Sequence, residues 1–140
     1  MPKTIFITGG ASGIGAATVS KFIAEGWNVA FTDIVDVETC GSLPLNNQKQ
    51  SAEGVSCFIK ADSTKKAEME AAAQRAADIF GGIDAVFCNS GIHRRNTILD
   101  IKQEELDLVI QTNIYGTTYT LQAVLPQLLL RLYFQVQRHH

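Results

Sequence analysis

The run Thr8-Gly9-Gly10-Ala11-Ser12-Gly13-Ile14-Gly15 concentrates glycine directly after a short β-branched segment. Glycines so spaced let the backbone come close to a bulky anion and let a following helix pack against the strand before it. A helix opening there would aim unbonded amides and the positive end of its dipole at phosphate groups. The next β-branched segment, Asn28 to Thr32, ends in Asp33. A carboxylate at that point can accept hydrogen bonds from both hydroxyls of an adenosine ribose. A glycine turn between strand and helix, answered by an acid after the second strand, is the context of a dinucleotide site rather than of a tight turn alone. The Asp33 charge would repel a 2′-phosphate, and Ser12 stands where a cation would neutralise one, so NAD is expected over NADP. An ordinary exposed loop acid is the competing reading of Asp33.

Other residues have chemistry without a framework. His93-Arg94-Arg95 reads as a solvated basic loop before it reads as a contact to a substrate or cofactor phosphate. Tyr115 and Tyr119 are one helical turn apart, and packing against a neighbouring helix competes with stacking on a base. Cys40, Cys57 and Cys88 are odd in number and form no CxxC pair, which supports neither a disulfide framework nor a cysteine metal site and fits a reducing cytoplasm. His139-His140 lacks a third ligand, and no metal is expected. Twelve Lys and Arg against fourteen Asp and Glu leave a formal charge of −2, which argues against a nucleic-acid partner. Met1-Pro2-Lys3 leads straight into an apolar run without a signal region, and Leu121 to Phe134 is interrupted by Pro126 and Arg131, so no membrane partner is expected.

At 140 residues, one compact domain must position these groups. Strands are expected over Thr4 to Thr8, Asn28 to Thr32, Val55 to Lys60 and Ile83 to Cys88. A helix from Gly13 to Glu25 carries Ile14, Ala17, Val19, Phe22 and Ile23 at helical spacing, with Gly26 as its stop. A second opens at Asp62-Ser63-Thr64, with Met69, Ala72, Ala73, Ala76 and Phe80 as its stripe, and ends at Gly81-Gly82. A third runs from about Gln103 to Leu125, with Leu106, Val109, Ile110, Ile114, Thr117 and Leu121 on one stripe, Asn113 on the same stripe, and Pro126 as its break. Residues 34 to 54 hold at most a short irregular helix. Alternating strands and helices predict an α/β fold whose parallel strands lie in the order 3-2-1-4 with helices on both faces.

These residues resemble the short-chain dehydrogenase/reductase family, whose glycine motif is TGxxxGxG, over roughly residues 3 to 125. The resemblance implies a Rossmann-like sheet, incomplete relative to the family, with NAD lying across Gly9, Ser12, Gly13, Ile14 and Gly15. It also implies Asp33 at the ribose and Asp62-Ser63 beside the adenine. Family members commonly carry Asn-Asn-Ala-Gly after the fourth strand, and Cys88-Asn89-Ser90-Gly91 stands here, keeping Asn89 and Gly91 as cofactor contacts while replacing the first Asn and the Ala. Asn113 matches the asparagine that bends its helix and helps hold a water in the family's proton relay. An Asn that only satisfies neighbouring backbone groups explains the position almost as well.

The family's chemistry also uses a serine that orients the substrate carbonyl and a tyrosine four residues before a lysine, the cation lowering the phenol's pKa. No serine follows Ser90 and no lysine follows Lys102. Tyr115, Tyr119 and Tyr133 are followed four positions on by Tyr119, Ala123 and Gln137. The expectation is therefore an NAD-binding domain over residues 1–126, catalytically incompetent alone, with an atypical tail at 127–140. That tail reads neither as a strand nor as a capped helix end, and Leu-Tyr-Phe-Gln at 132–135 resembles part of a protease-cleavage tag, a frame change being the other explanation. A small alcohol or carbonyl substrate would be used only if another polypeptide supplied the missing residues. An NAD-responsive interaction module is the remaining reading. A fourth strand left at a sheet edge, or the helix after it, predicts a homo-oligomer.

Overall fold

The structure, a computed structural model, describes residues 2–36 and 54–138. Cys40, His139, His140 and most of the segment expected to be irregular lie outside them.

Four parallel strands form one sheet: β1 (Thr4–Thr8), β2 (Asn28–Asp33), β3 (Ser56–Lys60) and β4 (Ala85–Phe87), in the order β3-β2-β1-β4. Thr4 to Thr8 pair in register with Asn28 to Thr32. β4 is shorter than the expected Ile83 to Cys88 and pairs only through Ile5 to Ile7. Side chains alternate across a strand. Ile5 and Ile7 on β1, with Val29 and Phe31 on β2, therefore face one way, onto Val19 and Ile23 of helix α1 (Gly13–Ala24). Phe6 and Ala30 face the other way, onto Met69, Ala72, Ala73 and Ala76 of α2 (Lys66–Phe80) and Val124 of the last helix. The result is helix, sheet, helix, with the carboxyl ends of all four strands pointing to one edge.

Three expectations need correction. On α1, Ile14 is 73% exposed and Ala17 is exposed too, so the core stripe is Gly15, Val19 and Ile23. Helix α2 starts later than expected, with Lys65 as its N-cap, because Asp62 is occupied in a local turn described below. The third expected helix is α3 (Gln103–Ile110), a π-helical turn (Gln111–Tyr115) and α4 (Gly116–Gln137), with Pro126 inside α4 and not at its end.

The π turn explains why the expected stripe fails. One extra residue in a turn rotates everything after it by about 100° relative to an unbroken helix. The buried positions of α4 are accordingly Gly116, Thr120 and Val124, while Ile114 is exposed. Pro126 removes one helical hydrogen bond. Val124 before it is fully buried, and Leu128 after it packs against the same cluster, so tertiary contacts hold the helix on both sides. The boundary expected between residues 126 and 127 falls inside this helix.

Candidate functional site

The carboxyl ends of β1, β2 and β4 are tied together by the glycine loop. Thr8 Oγ1, buried, accepts hydrogen bonds from the amides of Asn89 and Ser90 at 3.1 and 3.0 Å. Asn89 Nδ2 donates to Gly9 O at 3.1 Å, and Gly10 N donates to Thr32 O at 3.0 Å. A Cβ on Gly15 would stand 2.0 Å from Gly9 O, so this glycine is needed for close packing of α1 on the loop. Gly13 differs: its φ is +56° and a Cβ there would meet nothing within 4 Å. Ser12 is extended, and its side chain caps no amide. The first bond back along α1 is Ala16 N to Ser12 O at 3.1 Å, which leaves the amides of Gly13, Ile14 and Gly15 ahead of it without a helical acceptor.

Asp33 closes the next strand. Its Oδ2 accepts from Ala11 N at 3.1 Å and its Oδ1 from Ile34 N at 2.8 Å. Each oxygen keeps a further lone pair. After β3, Asp62 Oδ1 accepts from both the amide and the hydroxyl of Thr64, at 2.9 and 2.7 Å. Ser63 is buried under α4, where a Cβ on Gly116 would approach its Oγ to 3.0 Å.

Asn113 lies in the π turn. Its Oδ1 accepts from Ile92 N and its Nδ2 donates to Ile92 O, both at 2.8 Å. The amide thus both accepts from and donates to the backbone just past Gly91, and the residue is exposed, not on a buried stripe as expected.

These strand ends frame a cleft of about 460 Å³. Of the expected residues, Gly9, Ser12, Asp33, Asp62, Ser63, Asn89 and Gly91 line it. Gly13, Ile14, Gly15 and Asn113 do not line it and adjoin those that do. Residues without a sequence-based assignment also line it, among them Thr64, Ser90, Leu108 and Thr112. Thr64 and Ser90 follow directly on expected positions and were within reach of the strand-end argument. Leu108 and Thr112 carry no local cue, because only the folding of α3 over the strand ends brings them there. Arg94, read mainly as solvated, is at the cleft wall.

The sequence pattern of the short chain dehydrogenase family matches residues 3–133. The chain belongs to the short-chain dehydrogenase family. A diacetyl reductase of Staphylococcus epidermidis, the (S)-acetoin-forming type, is 33% identical over 129 residues, covering 91% of this chain and 48% of that protein. A 3-oxoacyl-acyl-carrier-protein reductase of Staphylococcus aureus is 32% identical over 130 residues, covering 92% and 52% respectively. Among solved structures, the 3-oxoacyl-acyl-carrier-protein reductase of Brucella melitensis in complex with NAD superimposes with a TM-score of 0.80 at 30% identity, over 92% of this chain and 50% of that one. The chain spans about half the length of the curated relatives it matches. Among the described residues, no helix is long and apolar enough to cross a membrane.

Proposed function

We propose that this short-chain dehydrogenase chain holds NAD in the cleft at the carboxyl ends of its strands. The observation that carries the reading is Asp33, set at the cleft wall with both oxygens oriented by backbone amides and lone pairs to spare for a ribose. The residues present fit the group. Gly13 is open, and the first amides of α1 lack acceptors beside the glycine loop, which suits a diphosphate. In this assignment Gly9, Ser12, Gly13, Ile14 and Gly15 form the diphosphate end, and Asp62 and Ser63 flank the adenine. Asn89 braces the glycine loop, Gly91 leaves room at the turn, and Asn113 is a positioning residue that pins Ile92.

Bound NAD supplies a hydride acceptor at its nicotinamide. These residues bind and orient it, and none of them supplies the serine, tyrosine and lysine of the family's proton exchange. The 140 residues are therefore expected to bind cofactor without turning over alcohols or ketones on their own. Calorimetry is expected to give tighter binding of NAD than of NADP, with Asp33→Asn weakening NAD by about tenfold. NADP binding as tight as NAD would refute the choice of cofactor. Turnover by the purified chain would refute the assignment of roles.

A second reading rests on β4, which among the described strands pairs on one side only. A strand from another polypeptide could complete both sheet and catalytic residues there, or a second copy could cover that edge or α4. Sedimentation at tens of micromolar is expected to show a dimer or larger species. A clean monomer, with β4 amides as protected from exchange as those of β1, would exclude association through that edge.

A further inference from the structure

The opposite edge of the sheet, where the strands begin, holds a second cavity of about 250 Å³. Lys3 directly precedes β1, Trp27 precedes β2 and Asp84 precedes β4, while Leu128, Arg131, Leu132 and Gln135 come down from α4. The cofactor cleft is at the other ends of the same strands, so the two cannot share one ligand.

Its charges do not balance. Among the described residues Asp84 is the one carboxylate lining it, and its Oδ2 already accepts from Thr4 N at 2.8 Å. Two cations stand around it. Arg131 Nε comes to 3.4 Å from Asp84 Oδ1, within ion-pair range, yet it is shielded from solvent and makes no hydrogen bond. A paired guanidinium and carboxylate normally meet at about 2.7–2.9 Å, often through two parallel bonds. Lys3 Nζ lies 5.6 Å from the centre of the Trp27 ring and, among the described residues, forms no ion pair. The arginine is nonetheless held in place: a Cβ on Gly82 would meet its Nε at 2.7 Å, so the turn before β4 leaves room for it. Apolar walls from Trp27, Leu128 and Leu132, beside one more cation than carboxylate among the described lining residues, describe a receptor for a small acid with an apolar body.

We propose that this cavity binds a small carboxylate carried on an aromatic or compact apolar body, its carboxylate on Arg131 and Lys3 and its body against Trp27. The inference is independent of the cofactor assignment.

Trp27 is the sole tryptophan of the chain, so its fluorescence reads this cavity directly. Benzoate titrated into the whole chain is expected to change that fluorescence saturably, and benzamide, the neutral counterpart of similar shape, is not. Arg131→Met keeps the packing stem and is expected to weaken benzoate by about tenfold. Lys3→Gln, at an exposed position, is expected to weaken it by about threefold. Saturating NAD is expected to leave the titration unchanged. Equal responses to benzoate and benzamide, or a response that never saturates, would overturn the proposal, as would displacement by NAD. If Arg131→Met fails to fold by circular dichroism, an unchanged benzoate affinity in Lys3→Gln would also overturn it.

Discussion

The glycine loop, rich in glycine, is legible in the sequence residue by residue, and the end of α4, rich in leucine and aromatic residues, is not. In the loop, local preference and tertiary demand coincide. Gly9 and Gly13 have positive φ, and Gly15 has no room for a side chain. Thr8 and Asn89 add hydrogen bonds that lock the loop to β4. Beyond Pro126, local preference and tertiary demand oppose each other, and packing wins. Proline discourages the helix, but Val124, Leu128 and the Arg131 to Asp84 approach hold it against the sheet. Agreement between levels makes a segment legible, and disagreement hides it.

The largest expected effect comes from breaking that agreement at Gly15. Because the obstructing atom is the backbone oxygen of Gly9, Gly15→Ala cannot be relieved by a rotamer change. A loss of about 3 kcal/mol or more is expected, together with loss of NAD binding. Gly13→Ala meets only its positive φ and is expected to cost about 1–2 kcal/mol. Urea denaturation of both variants tests the order. Equal losses would mean that conformation, and not space, is what the loop requires of its glycines.

Substitutions on either side of Pro126 sharpen the other half of the comparison. Val124 is fully buried, and Val124→Ala is expected to destabilise by about 2 kcal/mol. Leu129, 64% exposed on the same helix, is expected to change the stability of a monomer by no more than about 0.5 kcal/mol when replaced by alanine. A larger loss for Leu129→Ala that grows with protein concentration would show that a second copy covers this face. A negligible loss for Val124→Ala would mean that α4 does not depend on the sheet.

The order β3-β2-β1-β4 and the buried face of α2 were legible because βαβ connectivity and helical spacing each leave few alternatives. Of the cleft, the sequence carried the strand-end residues, since a turn after a parallel strand is where the chain leaves the sheet. It did not carry Leu108 and Thr112, which reach the cleft from α3. Nor did it carry the rotation at the π turn: Asn113 was marked as a residue that bends its helix, but not the phase change that buries Gly116 and Thr120 in place of Ile114 and Thr117. The partners of Asn113 were equally hidden. An amide can be recognised as needing a donor and an acceptor, but only the fold shows that Ile92 provides both.

The smallest expected effect compares two cysteines at opposite sides of the sheet. Cys57 is on β3 at one edge, and Cys88 directly follows β4 at the other. Burial pushes both thiols above their ordinary value, and Arg75 draws Cys57 part of the way back. The thiolate is the reactive species, and an unperturbed cysteine ionises near pH 8.5, so at about pH 8 both are expected to alkylate more slowly in the folded chain than in urea. The same shifts have a sign for stability. A folded-state pKa above the unfolded one gives a contribution present below about pH 8.5 and lost as pH rises towards the folded value, because the unfolded chain ionises first. Peptide-resolved mass spectrometry after a brief iodoacetamide pulse separates Cys57 from Cys88. With Arg75→Met, Cys57 is expected to slow further while Cys88 is unchanged. If both slow alike, access has changed and not charge; if neither does, the guanidinium does not act on the thiol.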